Sequence, residues 1–195
     1  MTNTNTHRRN AKALTIMVVT LVVYTFLDLA SKQWALDTLS ATKPNPPALC
    51  LPDAQQHIEF QRKPIKIEPF WPGVLQFNYA ENCGAAFSML RSAPSWVRAL
   101  VFGVASVGAA IVLSVMFVRG AGGRAFAAAV PLIVSGAIGN VSDRVRHGFV
   151  VDFIQVDPNL FNYPIFNVAD IAIAIGVGLM LIDGVKKPEA EKATT

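Results

Sequence analysis

Charged side chains are scarce in this chain. Asp, Glu, Lys and Arg make up 15% of the 195 residues, whereas an ordinary soluble domain carries roughly 25%. Only two residues are cysteine, which excludes a disulfide-rich miniprotein. Hydrophobic residues reach 52%, which excludes intrinsic disorder. Composition alone therefore leaves a membrane protein or a very apolar soluble core.

Several chemical signatures are also missing. The chain has no HExxH and no CxxC, so nothing in it predicts a metal site. It has no GxSxG nucleophile elbow and no GxxxxGK[ST] phosphate loop. The net charge of +4 is not arranged as a basic stripe interleaved with aromatics, so we expect no nucleic-acid partner.

What the chain does contain is four long apolar stretches. Ala99–Val118 is twenty residues without a charge, and about twenty residues span a bilayer core. Four such stretches would leave a soluble protein too little polar surface. We therefore predict a mainly α membrane protein with a single integral membrane domain, 1–195, and transmembrane helices at about 13–35, 96–118, 124–143 and 165–184. Pro131 falls inside the third, where a membrane helix tolerates it.

Basic residues flank these helices on one side. The three clusters are Arg8, Arg9 and Lys12, then Arg119 and Arg124, then Lys186, Lys187 and Lys192. The positive-inside rule places both tails, 1–12 and 185–195, in the cytoplasm, so the segments 36–95 and 144–164 face outward. The alternative is a cleaved signal peptide at the N-terminus. Asp28 argues against it, because it would occupy the −3 position of the only small-residue cleavage site, before Ser31.

The outer segment 36–95 has the alternation of half-exposed strands. Ile58–Gln61, Ile65–Glu68 and Leu75–Tyr79 each alternate, which predicts a small sheet at the membrane surface. Cys50 and Cys83 fall in the same segment, and their spacing fits either a disulfide or two free thiols. Glycines within the helices, at 103, 108, 136 and 139, are interpreted as sites of close helix packing.

Polar residues within or beside membrane helices are functional candidates, because burying them is costly. Asp28 and Lys32 are four apart and share a helix face, as a structural ion pair would. Asn140 and Asp143 share a face of the third helix, whereas Arg144 points differently. We expect Asp143 to be a structural hydrogen-bond acceptor, and membership of a catalytic pair is its alternative role on spacing alone.

Two further acids belong at the same outer face. Asp152 interrupts the apolar run 150–154, and Asp170 follows Asn167, which can cap the fourth helix and place Asp170 at position N3. Taken singly, Asp170 could be a helix-start acid and Asp152 a partly solvated edge residue. Together they can supply a general base and a general acid for attack by water on an amide. The helix N-terminus favours the anion of Asp170, and apolar neighbours favour the protonated form of Asp152.

These residues resemble the lipoprotein signal peptidases (signal peptidase II), aspartic proteases of the bacterial cytoplasmic membrane. The match covers roughly residues 20–184. Its four blocks are Asp28-Leu-Ala-Ser-Lys32; Asn82-Cys83-Gly84-Ala85-Ala86-Phe87-Ser88; Gly136-Ala-Ile-Gly139-Asn140-Val-Ser-Asp143-Arg144 with Val150-Val151-Asp152-Phe153; and Phe166-Asn167-Val168-Ala169-Asp170. The chain departs from the family pattern in an insertion around 40–66, which contains Cys50, and in Cys83.

The resemblance implies cleavage of a diacylglyceryl-modified prolipoprotein just before its lipidated cysteine, with Asp152 and Asp170 as the catalytic dyad. It implies a multi-pass inner-membrane protein with its active site at the periplasmic face. Supporting or substrate-binding roles carry over to Asp28, Lys32, Asn82, Gly84, Asn140, Asp143, Arg144 and Asn167. The resemblance also implies a periplasmic sheet, fitting 58–79, and a short surface helix within 144–160. It implies contact with membrane lipid and inhibition by globomycin-like cyclic peptides, and no metal or organic cofactor.

Two other functions are considered. A small proton-coupled transporter would use Asp143, Asp152 and Asp170 as a relay, but it predicts acids spread through the membrane depth. A membrane chaperone or scaffold would need no pair of convergent acids.

Overall fold

The computed structural model describes residues 3–40, 68–82, 95–161 and 163–185. In chain order the elements are α1 (Asn3–Thr38), β1 (Glu68–Trp71), β2 (Leu75–Asn82), α2 (Ser95–Val118), α3 (Arg124–His147), β3 (Val150–Val156) and α4 (Val168–Val185). The described part is therefore mainly helical, with a small sheet, as the composition and the apolar stretches predicted.

Three of the four helices are long and apolar enough to cross a membrane. The qualifying segments are Leu14–Thr38 of α1, Leu100–Val118 of α2 and all of α3. α4 has 18 residues, which extend about 27 Å at 1.5 Å per residue, close to the thickness of a bilayer core. Its position matches the fourth expected span, and a complete fourth crossing stays a prediction.

The helix ends differ from the predicted ones for local reasons. α3 continues to His147 because the sequence offers no stop signal before Gly148, which caps the helix at φ 81° and donates its N–H to the carbonyl of Arg144. α4 begins at Val168 rather than at 165. Phe166 is still engaged in an isolated bridge to Ile154, so the helix starts only after Asn167.

α3 is the central helix, and it packs against α1, α2 and α4. Glycine permits the closest approach: a Cβ on Gly136 would lie 2.5 Å from the carbonyl oxygen of Ala169 in α4. Gly139 faces Asp28 of α1 with equally little space. The packing interpretation is thus confirmed for these two glycines. It is wrong for Gly103 and Gly108, because an added Cβ on either would meet no atom within 4 Å.

The three strands form an antiparallel sheet in the order β1-β2-β3. The strand predicted at Leu75–Tyr79 is confirmed and extends to Asn82. Ile58–Gln61, most of Ile65–Glu68 and the two cysteines lie outside the described residues. The described sheet instead takes its third strand from 150–156, where Ala80 is paired with Asp152 and Asn82 with Val150.

The surface helix expected within 144–160 is wrong. That stretch holds the end of α3, strand β3 and a turn. The apolar run at 150–154 is more stable as a strand than as a surface helix, because the strand pairs with β2 and buries its side chains against α1. Val151 and Phe153 join Ala35 of α1 and Leu39, which directly follows α1, in one core cluster.

Aromatic contacts fix the sheet on the end of α1. The ring of Trp34 lies 5.0 Å from that of Phe77 and 6.1 Å from that of Phe153, both edge-on. We call this end of the helix bundle the sheet end. A second core cluster, around Met17, Phe126, Val130 and Val134, joins the helices toward the opposite end. Asp152 and Asp170 lie where the sheet meets the helices.

Candidate active site

Asn167 links the two central carboxylates. Its Oδ1 accepts a hydrogen bond from the N–H of Asp170 at 3.0 Å, and its own N–H donates to Asp170 Oδ2 at 3.2 Å. This reciprocal pair is a capping box with Asp at N3, so the predicted cap is confirmed. The Asn167 side chain also donates from Nδ2 to Asp152 Oδ1 at 2.6 Å. One buried residue therefore fixes both acids relative to each other.

Asp152 is buried on β3, with 2% of its surface exposed. Asn82 Nδ2 donates to its second oxygen at 3.0 Å. The strand register explains this contact, because Ala80 is opposite Asp152 and Asn82 lies two residues further on the same face of the sheet. The alternative of a partly solvated edge residue is therefore wrong.

The electrostatic environment of Asp152 favours a bound proton. Burial, and after it the charge of the neighbouring Asp170, raise the pKa of its carboxyl to about 7, although the hydrogen bonds from Asn82 and Asn167 lower it. Burial penalises the charged form more than the two amides can compensate. Near neutral pH the carboxyl can therefore gain or lose a proton at little cost.

Asp170 occupies the first turn of α4 and is only half-buried. Besides the Asn167 N–H, its carboxylate accepts a hydrogen bond from Asn140 Nδ2 at 2.9 Å. Two N–H donors and the positive end of the helix dipole all stabilise an anion. The pair thus combines a group suited to accept a proton with one suited to supply it.

Lys32 is the centre of a buried network beneath this pair. Its Nζ lies 2.8 Å from Asp28 Oδ2 and 3.3 Å from Asp143 Oδ2. It also donates to Asn140 Oδ1 at 2.8 Å. Lys32 and Asp28 are each 1% exposed. The predicted ion pair is confirmed, and both residues lie below the surface of the site.

The network ties four elements together at one point. Asp28 Oδ1 accepts the N–H of Ala169 in the first turn of α4 at 2.8 Å. Asp143 Oδ2 accepts the N–H of Val151 in β3 at 3.0 Å. The first bond joins α1 to α4 and the second joins α3 to β3. Asp143 thus acts as an acceptor within the buried network, which is the structural role that the sequence predicted for it.

Arg144 points away from Asp143, as the helical spacing predicted. Its guanidinium donates to the carbonyl of Asn140 at 3.2 Å and lies over the ring of Phe102 at 5.9 Å. Its positive charge acts on Asp143, Asp152 and Asp170. Arg144 thus offsets part of the negative charge that the acids concentrate at the sheet end.

Asp183 was not among the residues that the sequence predicted to have a structural or functional role. Asp183, near the end of α4, accepts the N–H of Gly123 at 2.8 Å. Gly123 is the N-cap of α3 and has no side chain to cap the helix itself, so a carboxylate from another helix satisfies its donor. Two features of the sequence could have indicated this contact: an acid near the end of an apolar helix, and a glycine-rich turn that offers uncapped backbone N–H groups.

Gly84 lies outside the described residues. Within the described ranges, no group of three or more His, Cys, Asp or Glu is placed to hold a metal ion. A reaction without metal or cofactor stays a prediction. The other nine residues of the predicted site all lie in the described part of the chain. Asn167 connects Asp152, Asp170 and Asn140, and Lys32 connects Asn140, Asp28 and Asp143.

Residues 18–186 match the family model of signal peptidase (SPase) II. A lipoprotein signal peptidase of Photorhabdus laumondii is 35% identical over 170 residues, which cover 87% of each chain. One from Yersinia pestis is 35% identical over 173 residues, covering 88% of each chain. These matches give no support to a proton-coupled transporter.

Solved structures with a similar fold are also those of a membrane enzyme. Two solved structures of a bacterial membrane enzyme are each 25% identical to this chain. The first superposes with a TM-score of 0.69 and covers 93% of this chain and 94% of its own. The second has a TM-score of 0.65, covering 89% and 94%. Sequence, fold and apolar helices agree on a multi-pass membrane peptidase, and the chain belongs to the signal peptidase II family.

Proposed function

We propose that this peptidase is an aspartic endopeptidase in which Asp152 and Asp170 form the catalytic dyad. The observation that carries the proposal is their common link through Asn167, which places a carboxyl with a pKa of about 7 beside a hydrogen-bonded carboxylate. Near neutral pH one member of such a pair can act as the general acid and the other as the general base.

In the resting state Asp152 carries the proton and Asp170 is ionised. Asp170 takes a proton from the attacking water while the oxygen of that water bonds to the carbonyl carbon. Asp152 gives its proton to the carbonyl oxygen. In the second step Asp170 donates the proton it took to the departing amide nitrogen. Asp152 recovers a proton from the hydroxyl of the intermediate as the C–N bond breaks. Both acids end as they began, with one peptide bond hydrolysed.

Asn140 and Asn167 act as positioning residues in this scheme. Asn140 Oδ1 accepts from Lys32 and from Asn167 Nδ2, at 2.8 and 3.2 Å. An amide oxygen held by two donors leaves the amide nitrogen facing Asp170. Lys32 thus fixes the orientation of the Asn140 amide, so that its nitrogen rather than its oxygen faces Asp170.

The substrate we propose is a diacylglyceryl-modified prolipoprotein, cut just before its lipidated cysteine. The acids cluster at one end of the bundle, at the junction of helices and sheet, where a lipid-anchored peptide would present its scissile bond. Its acyl chains and the surrounding membrane lipid would remain beside the apolar helices. Globomycin-like cyclic peptides would compete for the same site.

We further propose that the protein spans the bacterial inner membrane with both termini in the cytoplasm and the sheet end at the periplasmic face. The support is the distribution of Lys and Arg. In the sequence the basic clusters flank the start of α1, the α2–α3 turn and the end of α4. The sheet packs on the last turns of α1, and the α2–α3 turn contacts the end of α4, so these three element ends lie away from the sheet end.

Cleavage by the purified protein tests the proposed reaction. Lipidated and unlipidated forms of one precursor are supplied in detergent, and the products are separated by mass. We expect cleavage of the lipidated form alone, and its loss in Asp152→Asn and in Asp170→Asn. Asp37→Asn is the matched control, since this exposed acid of α1 contacts Gln33 rather than the dyad. Full activity in either dyad variant would contradict the proposal.

A further inference from the structure

Large apolar side chains are exposed at one end of the sheet. Their exposed fractions are 64% for Phe70, 61% for Trp71, 62% for Leu160, 61% for Phe161 and 49% for Tyr163. We call these five residues the apolar rim. None of them contributes to the site described above, and all lie outside the apolar helices.

The two turns that carry the rim are neighbours. The β1–β2 turn contains Val74, whose carbonyl accepts the N–H of Asp157 at 2.9 Å. The strand register agrees, because Leu75 is paired with Val156. The turn after β3 therefore lies beside the β1–β2 turn, at the same end of the sheet.

The second turn is fixed in a defined shape. The carbonyl of Asp157 accepts the N–H groups of Leu160 and Phe161 at 2.9 and 3.0 Å. The rings of Phe161 and Tyr163 stack with centroids 6.2 Å apart, and Tyr163 contacts Phe166 edge-on at 5.8 Å. Backbone hydrogen bonds thus fix this turn, and ring contacts hold the side chains of Phe161 and Tyr163.

The segments that carry the rim contain no charged residue, although an acid, Glu68 or Asp157, directly precedes each of them. Residues 69–74 read Pro-Phe-Trp-Pro-Gly-Val, and residues 158–163 read Pro-Asn-Leu-Phe-Asn-Tyr. A turn in bulk water normally carries charged or small polar residues rather than large apolar ones. Trp, Tyr and Phe beside uncharged polar groups are instead typical of the boundary between lipid headgroups and acyl chains.

The position of the sheet brings the rim to that depth. The 25-residue span of α1 is about 37 Å long, so its last turns extend beyond a hydrocarbon core of about 30 Å. The sheet packs directly on one of those turns, through Trp34 and Phe77. Tyr163 is only five residues before the first residue of α4, so the rim lies close to where that helix begins.

We propose that the apolar rim inserts into the headgroup–acyl boundary of the leaflet at the sheet end, as a second membrane attachment distinct from the helices. It anchors the free end of the sheet to lipid and thereby holds β3, with Asp152, at a constant depth. This attachment is independent of the proposed peptidase chemistry.

Fluorescence quenching in vesicles tests the attachment. The full chain is reconstituted in phosphatidylcholine brominated either near the headgroup or near the chain end, and compared with Trp71→Phe. The protein contains three tryptophans, so the difference isolates Trp71. We expect Trp71→Phe to lose a large share of the quenching by headgroup-proximal bromine and little of the quenching by chain-end bromine.

A second variant and a depth reference complete the design. Adding Phe161→Trp to Trp71→Phe moves the fluorophore to the adjacent turn with little change in size, and should restore the quenching. Val112→Trp, on the exposed face of α2, supplies the pattern of a side chain in lipid. Equal quenching of the original chain and of Trp71→Phe would show that Trp71 does not contact lipid, and would overturn the proposal. This holds whether the emission of Trp71 shows a side chain in water or one covered by protein.

Discussion

At the scale of single residues, the site depends on amide side chains with only one useful orientation. Asn167 Nδ2 donates to Asp152 and to Asn140, while its Oδ1 caps α4. Rotating this amide would exchange its donor and acceptor and break all three bonds. Asn140 is held in the same way by Lys32. Spacing predicted that these residues lie close together, but not this order of donors and acceptors.

The pKa of Asp152 makes the pH dependence of the reaction testable. Protonated Asp152 is required, and its pKa is about 7, so kcat/KM should fall about tenfold per pH unit well above that value. Asn82→Ala removes a hydrogen bond to the carboxylate, which raises the pKa and should shift the basic limb to higher pH. A pH–rate profile measures both. An unshifted limb in Asn82→Ala would assign the upper pKa to another group.

Linkage gives the corresponding effect on stability. The ordinary pKa of an Asp is near 3.8, and in the fold that of Asp152 is raised. The folded protein therefore holds this proton where the unfolded chain has already released it. The contribution of Asp152 to stability is most favourable below about pH 4 and declines as the pH rises toward 7.

Lys32 offers a test of the buried network. Lys32→Met leaves Asp28 and Asp143 without their shared cation, and breaking a buried pair in this way costs about 3–5 kcal/mol of unfolding free energy. We expect a lower thermal midpoint in detergent together with reduced cleavage, since Asn140 loses its positioning partner. Gln33→Met, at the exposed neighbouring position, is the control. An unchanged midpoint in Lys32→Met would contradict a stabilising role.

At the scale of elements, the first turn of α4 carries both the site and the closest helix packing. Ala169 donates its N–H to Asp28, and its carbonyl oxygen faces Gly136 of α3. Asp170 follows directly in the chain. The distance between α3 and α4 is therefore coupled to the position of a catalytic candidate.

A pair of glycine substitutions separates this effect from helix propensity. In Gly136→Val the new side chain meets backbone, which can yield only if α4 shifts. We expect a loss of about 1–3 kcal/mol of stability and about a 100-fold loss of activity from the displaced carboxylate. Gly108→Val, which meets nothing within 4 Å, should leave both unchanged. Thermal unfolding and cleavage assays compare the two, and equal effects would contradict the packing argument.

At the scale of the whole molecule, α3 contacts every other helix, so the fold is built around one buried span. α2 contributes mainly through its packing on α3 and exposes much of its remaining surface. Asp183 joins α3 and α4 near one end, and the Lys32 network joins them at the other. Polar contacts thus fix both ends of the α3–α4 pair across an apolar interior.

Reporter fusions test the number of crossings. With four complete spans, a reporter fused to the N-terminus and one fused to the C-terminus should both be active only as cytoplasmic reporters. The short α4 makes this informative, since its 18 residues are near the lower limit for a span. Termini on opposite sides would show that one predicted helix does not cross.

The positions of the helices followed from the sequence because a bilayer imposes a length and an apolar composition that can be read residue by residue. The third strand did not, because Val150–Val156 becomes a strand only when β2 supplies partners for its backbone. Pairing with a remote segment leaves a weaker local signal than a membrane span, and the same apolar run could equally have ended in a surface helix.

The fold class, the apolar spans, the excess of basic residues on their flanks and the identity of the scarce acids all follow from the amino-acid sequence, because each depends on local composition or spacing. Three features instead arise from tertiary packing: Asn167 joins Asp152 to Asp170, Lys32 lies beneath them, and apolar turns far apart in the chain form one rim. These features depend on which distant segments pack together, and hence on distances that spacing along the chain does not contain.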